Sequence, residues 1–428
     1  MMKLYAHQQK IIDEDPKKCG LFMGTGSGKT RTALLLARGR TLVIAPKTQV
    51  EDGNWERELK EIMKCEAIEH GTSIRKKLVV ISKETFRRDH ATLPAFDTVI
   101  VDEAHTCLGV TPNTCQRKKV TYPKTSQLFE ALQTYLERTQ PERLYLCTAT
   151  IMKSPLTVWG AGVLLGKIPK NLMSFLSFRN DFYTKLPMPG RDVYAPKRDD
   201  SSKNKLADLV KRLGYVGRLE EYFDVPEQTF ITKYIELTAA QKARIKELPL
   251  EFPDPIVLIG KRHQVENGML AGNEFVEGEV FDNGKIEKIL ELAEEFPRMV
   301  VFCKYRAQIE QIAKSVTDRE VFILTGDTTD RGTLLSKANA AKNAVFIAQA
   351  QISAGWELPE YPVMVFASMT YSFTDRKQAE GRILRANALK KNLYIDLVVK
   401  GGIDEAIQKA IQNKCDFDER LYIKHVVE

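Results

Sequence analysis

Ten short runs of apolar and β-branched residues, falling in two groups of five, constrain the fold of this chain more than any other feature. The first group is 21–23, 41–45, 78–82, 98–101 and 144–147; the second is 299–303, 321–324, 345–348, 363–367 and 393–398. Within each group, segments long enough for a helix separate the runs. Such spacing predicts right-handed βαβ units and a parallel sheet covered on both faces. Two groups predict two α/β lobes. At 428 residues the chain is too long for one ordinary core and suits two or three domains. The expected division is 1–165 for the first lobe, 166–280 for a mainly helical and linker insertion, and 281–428 for the second lobe. In the insertion, 172–183 and 203–213 carry helix-compatible apolar spacing. Pro187, Pro189, Pro196, Pro226, Pro249, Pro253 and Pro255 punctuate it.

Directly after the first run stands Gly24-Thr25-Gly26-Ser27-Gly28-Lys29-Thr30, which leads into the helix-prone stretch 31–38. A strand that breaks into three glycines and re-forms as a helix offers a nest of backbone N–H groups and a helix N-terminus, which suit a polyphosphate. Lys29 is expected to reach the terminal phosphates and Thr30 to hold Mg²⁺. The full phosphate-loop pattern places Gly where this chain has Met23. Roughly 75 residues on, the run 98–101 ends in Asp102-Glu103-Ala104-His105. Asp102 is expected to fix Mg²⁺ and Glu103 to orient or deprotonate the attacking water. His105 is then expected in a hydrogen-bond network between motifs, since Glu103 fills the role of base. Charge developing on the γ-phosphate needs compensation, and Gln378-Ala379-Glu380-Gly381-Arg382-Ile383-Leu384-Arg385 offers two arginines three apart on one helix face.

Composition narrows the partners. With 43% apolar and 28% charged residues the chain reads as soluble and globular, and its formal charge of +8 favours a polyanion. The stretch 153–218 holds thirteen Lys or Arg against five Asp and no Glu, an excess equal to that of the whole chain. Contact with a phosphate backbone is the preferred reading, and a merely solvated basic face the alternative. Gln116-Arg117-Lys118-Lys119 is a smaller basic cluster in an expected loop. Seven cysteines without a CxxC pair argue against a zinc site or disulfide framework, and no apolar run reaches membrane-spanning length. The expected location is the cytoplasm. Trp55 and Trp356 are expected to be packing residues.

These motifs together resemble the superfamily 2 helicases, with Asp-Glu-Ala-His as the second motif and Gln-x-x-Gly-Arg-x-x-Arg as the sixth. Within that superfamily the chain is most similar to the Snf2-like translocases of double-stranded DNA. The similarity rests on Ile44-Ala45-Pro46 with Trp55 and Glu58, Thr148-Ala149-Thr150, Thr238 with Gln241, Asn283-Gly284-Lys285, and Gly402-Ile403-Asp404-Glu405. It implies two tandem RecA-like lobes, ATP and Mg²⁺ as cofactors, and a monomeric motor on duplex, forked or branched DNA. Gln8 then recognises adenine, Thr148 and Thr150 couple hydrolysis to movement, Gln378, Arg382 and Arg385 serve catalysis, and Gly355 and Glu357 fall in the fifth motif. That motif usually carries Asp or Asn where this chain has Glu357. The compact form looks like phage or bacterial members acting in replication, recombination or repair, in the host cytoplasm for a phage protein. An RNA or single-strand helicase and an ATP-gated clamp that recruits a nuclease are the competing readings.

Overall fold

The computed structural model describes residues 4–413 apart from Asp52, 65–77, 116–119, 187–192, Arg198, Arg218, 223–226, 273–276, 353–355 and 385–390. The basic cluster 116–119, Gly355 and Arg385 therefore lie outside the described residues. All ten expected strands are present, most of them extended by a residue or more. Two further strands join them. The first sheet consists of β1 (Lys18–Met23), β2 (Thr41–Ala45), β3 (Leu78–Ser82), β4 (Thr98–Val101), β5 (Arg143–Cys147) and β6 (Gly214–Gly217), in the spatial order β6-β1-β5-β4-β2-β3. The second consists of β7 (Gln228–Ile235), β8 (Arg298–Cys303), β9 (Glu320–Leu324), β10 (Ala344–Gln349), β11 (Val363–Phe366) and β12 (Asn392–Val399), in the order β7-β12-β11-β8-β10-β9. Every pairing within these two sheets is parallel. Central strands covered on both faces must be apolar along their whole length, and β2 and β4 are buried at every residue.

The chain divides into two compact units, Met1–Phe223 and Asp224–Glu428. The stretch 166–280, expected to stand between the lobes, is shared between them. Helices Leu172–Phe182 and Asp200–Leu213 set Phe175, Phe178, Phe182, Leu206, Val210 and Leu213 into the same buried cluster as Leu42, Val99 and Val101 of the first sheet. Their apolar faces are thus a wall of the first lobe's core. Gly214 then opens β6, which pairs with β1 in the register Gly20↔Gly214 to Met23↔Gly217. Helices Ala239–Glu251 and Pro255–Glu266 belong to the second unit, which opens with β7.

The parallel order has a direct consequence for chemistry. β1, β5 and β4 are neighbours, so the turns that follow Met23, Cys147 and Val101 emerge side by side at one carboxyl edge. Open α/β sheets bind ligands at that edge. Val99, Ile100 and Val101 are each fully buried, and each such side chain stabilises its strand by roughly 1.5–3 kcal/mol. They anchor the strand that presents Asp102. Among the described residues no helix is long and apolar enough to cross a membrane.

Candidate active site

The loop 24–28 joins β1 to helix Lys29–Leu36. Gly28, the residue before the helix, has φ +81°, in the left-handed region that favours glycine, and a Cβ there would lie 2.3 Å from Gln8 Nε2. The backbone angle favours glycine, and a Cβ would also push the Gln8 amide from its place. The Ser27 hydroxyl is turned inward and donates to the Gly24 carbonyl at 2.7 Å. Residues of helix Ala6–Glu14 brace the loop from below: His7 Nε2 donates to Ser27 O at 2.9 Å, and Gln8 Nε2 donates to Gly28 O at 3.3 Å. Gln8 Oε1 accepts from Tyr5 N at 3.1 Å, and the side chain is 1% exposed. Where the resemblance implies an adenine contact, Gln8 is thus bound to the loop backbone. The sequence reading does not single out His7; its ring stacks on Tyr222 at 3.9 Å, a residue more than two hundred positions away that no local spacing reveals.

Lys29 Nζ donates to the carbonyls of Met23 and Gly24, both at 2.9 Å, which folds the ammonium back across the mouth of the loop. Thr30 follows in the first helical turn and is half-buried. From β4, Asp102 is 5% exposed, and its Oδ1 accepts from Glu103 N at 2.8 Å. Burial, and then the neighbouring Glu103 charge, hold the Asp102 carboxyl above the usual range. Glu103 has φ +42°, a left-handed backbone that is uncommon outside glycine. Burial opposes its charge, but His105 and the cations of Lys29 and Lys83 outweigh that and hold its carboxyl below the usual range. Glu103 Oε2 is buried without a hydrogen-bond partner, 3.3 Å from His105 Nδ1.

His105 Nδ1 hydrogen-bonds Thr148 Oγ1 at 2.9 Å, and Thr150 N donates to the same hydroxyl at 3.1 Å. The expected network between the Asp-Glu-Ala-His turn and the turn after β5 is present. Lys83, which the sequence reading passes over, is 7% exposed and donates to Glu103 O at 2.8 Å and Thr106 Oγ1 at 2.6 Å. A lysine directly after the apolar run 78–82 was its only sequence signal. A lysine at a glycine-lined loop, a hydroxyl beside it, and two buried carboxylates, one with an oxygen lacking any hydrogen bond, are the donor set that a Mg²⁺-bound triphosphate requires. The residues present fit that group.

In the second unit Gln378 lies on helix Phe373–Glu380 and Arg382 just beyond it, 7% and 6% exposed. Arg382 Nε donates to Gln378 O and Nη1 to Trp356 O, both at 3.1 Å. This guanidinium therefore braces two segments of its own unit. Trp356 is 3% exposed and Trp55 fully buried, both packed in the core as expected. Glu357 is exposed, and its carbonyl accepts from Asn339.

The same unit contains a buried polar network that the sequence does not announce. Lys285 and Asp404, from the motifs Asn283-Gly284-Lys285 and Gly402-Ile403-Asp404-Glu405, form an ion pair at 2.5 Å with both side chains fully buried. Lys285 also donates to Asn267 Oδ1 at 2.7 Å and Ala367 O at 2.8 Å. Asp404 Oδ1 accepts from His263 Nε2 at 2.8 Å and Met369 N at 3.2 Å, and His263 Nδ1 meets the Tyr305 hydroxyl at 2.8 Å. Burial pushes the His263 imidazole down to about 4 against the pull of Asp404. A depressed histidine stabilises the fold above its unfolded value near 6.5, and that contribution fades as pH falls towards 4. Asp404 loses its own contribution below the carboxylate range, while Glu266, raised to about 7 by burial, acts in the opposite sense between 4.5 and 7. The difference in denaturation midpoint between the wild type and His263→Gln is therefore expected to shrink from pH 7 to pH 4. A constant difference would count against a buried neutral imidazole.

Comparison with known proteins finds two family models that match separate parts of the chain. Residues 1–139 match the family described as type III restriction enzyme, res subunit, and residues 284–387 match the helicase conserved C-terminal domain. The DNA 3'-5' translocase XPB2 of Sulfurisphaera tokodaii is 23% identical over 235 residues, which cover 50% of this chain and 53% of that protein. The chain thus spans about half the length of this curated relative. Among solved structures, the SWI2/SNF2 ATPase core of Sulfolobus solfataricus in complex with double-stranded DNA aligns over 96% of this chain and 91% of its own, with 16% identity and a TM-score of 0.39.

Proposed function

We propose that this chain is an ATP-hydrolysing superfamily 2 helicase, a Mg²⁺-dependent DNA translocase acting on duplex, forked or branched DNA. The observation that carries the reading is the convergence of three turns, after β1, β4 and β5, at one sheet edge. There Lys29 exchanges its carbonyl partners for the terminal phosphates, and Thr30 and Asp102 hold the metal. Glu103 positions the attacking water and takes its proton. Bound Mg²⁺ supplies neutralisation of phosphate charge. The Thr148–His105 hydrogen bond ties the turn after β5 to the turn that carries Asp102 and Glu103, a route by which the state of the nucleotide is passed to a second segment of the lobe. Arg382 and Arg385 are the proposed partners of the phosphate charge, Arg382 only after giving up the Gln378 and Trp356 carbonyls. Gly355 and Glu357 are proposed near the sugar.

Stepping along the backbone needs contacts that read phosphates without sequence. Helix Asp200–Leu213 exposes Lys203, Lys205, Lys211 and Arg212, and Lys197 precedes it. Reversing the charge of Lys197, Lys203 and Lys205 together is expected to weaken duplex binding and to flatten the slope of log affinity against log salt by about 1–3. An unchanged slope would make this face merely solvated. The deciding experiment compares ATP turnover on duplex DNA, single-stranded DNA and RNA with displacement of a triplex strand. Stimulation by duplex with ATP-dependent displacement is the expected result; stimulation by RNA alone, or ATP-switched binding without displacement, would favour a competing reading. A role in replication, recombination or repair follows from forked or branched DNA outcompeting linear duplex in the same assay.

A further inference from the structure

Lys83 occupies an unusual place. It opens helix Lys83–Asp89, whose cap is Ser82 at the end of β3, with the Ser82 hydroxyl accepting from Thr85 N at 3.1 Å. β3 is the outermost strand of its sheet, and β2 separates it from β4, which carries the acid pair. With neighbouring strands about 4.8 Å apart, the turn after β4 stands about 10 Å away. A long side chain is needed to cross that gap. Lys83 crosses it almost entirely buried and ends on the Glu103 carbonyl and the Thr106 hydroxyl, while Thr106 Oγ1 also donates to Glu103 O at 3.0 Å.

The carbonyl it reaches belongs to one of the three non-glycine residues, with Asp15 and Gln140, that have a left-handed backbone among the described residues. Glu103 at φ +42° costs of order 1 kcal/mol or more relative to an ordinary conformation, and such a geometry persists only when its surroundings over-determine it. Three donors, Lys83 Nζ, Thr106 Oγ1 and, at 3.1 Å, Thr106 N, converge on one carbonyl oxygen and provide that determination. We propose that Lys83 is a positioning residue for hydrolysis, a buried cationic strut that holds Glu103 in its left-handed turn so that the carboxylate faces the water that attacks ATP. The inference rests on the reading of Glu103 as the base. It adds a residue that touches neither nucleotide nor metal.

The strut acts on the orientation of the carboxylate and leaves the phosphate loop alone, so its loss is expected to appear in kcat. In the full chain with duplex DNA, Lys83→Met is expected to lower kcat for ATP about 10–100-fold with KM within about twofold of the wild type, the range seen when a residue supporting a reactive group is lost. Lys83→Arg, which keeps length and charge, is expected to recover most of that loss. Three results would overturn the proposal: unchanged kcat in Lys83→Met, a rise in KM that matches the fall in kcat, or a Lys83→Arg variant as impaired as Lys83→Met. Glu103→Gln, assayed in parallel, separates the two levels. If it keeps wild-type turnover, the reading of the site itself fails; if it is inactive while Lys83→Met is fully active, only the strut fails.

Discussion

Glu103→Gln is expected to lower ATP turnover by about three orders of magnitude while ATP still binds, because a positioned base contributes roughly 10²–10⁴-fold and the amide can accept no proton. The substitution changes one atom in size and leaves the backbone turn untouched. The wild-type carboxylate is held ionised by His105, Lys29 and Lys83 in spite of burial, so it is in the accepting form throughout the neutral range. Its Oε2 has only the 3.3 Å contact with His105 Nδ1 to loosen before engaging water. Single-turnover hydrolysis and fluorescent-nucleotide binding measured on the same sample check the result. Turnover within tenfold of the wild type would remove Glu103 from the role of base, and loss of binding in step with turnover would make it a structural residue of the loop.

Lys285→Met is expected to destabilise the second unit by about 3–5 kcal/mol, since removing one partner of a buried ion pair strands the other charge in a low-dielectric interior. Asp404 would keep His263 and Met369 N but lose the ammonium at 2.5 Å, and Ala367 O and Asn267 Oδ1 would each lose a donor. Guanidinium denaturation followed by a probe in the second unit checks the size of the effect. The double variant Lys285→Met, Asp404→Asn is expected to be more stable than the single one, because the stranded charge is gone. Equal stabilities would mean that Asp404 bears no uncompensated charge when Lys285 is absent. The effect should also reach catalysis, since Ala367 and Met369 lie just before the helix that carries Gln378.

Much of the architecture was written in local pattern. The runs at 41–45, 78–82 and 98–101 coincide with β2, β3 and β4: β2 and β4 are buried at every residue, and the partly exposed edge strand β3 is marked by its unbroken Leu-Val-Val-Ile run. Gly28-Lys29-Thr30 and Asp102-Glu103 were equally plain, since their chemistry depends on residues adjacent in sequence. β6 was hidden by its composition: Gly-Tyr-Val-Gly is too short to show a period and is bounded by residues that usually mark turns. β7 lies at a sheet edge with most of its side chains outward, so it lacks the continuous apolar run of the inner strands. Lys83 and His7 escaped notice for a different reason. Their roles are fixed by what lies across a sheet or beneath a loop, and a single chain gives no sign of which distant partner a lysine or histidine will meet. Arg382 shows the same limit from the other side, because its spacing says nothing of the carbonyls it holds.

The last strand of the first sheet has a practical meaning for anyone dividing this protein. Gly217, at the end of β6, accepts from the amide of Gly24, the residue that opens the nucleotide loop. The helix bearing Lys203 and Lys205 runs into that strand without an intervening linker. A tug on the basic helix would therefore be felt by the loop through a few covalent bonds and one amide. A fragment cut near residue 165 would leave β1 with a bare flank and its loop untethered, whereas one ending after Tyr222 keeps the basic helix and the glycine-lined loop in a single piece.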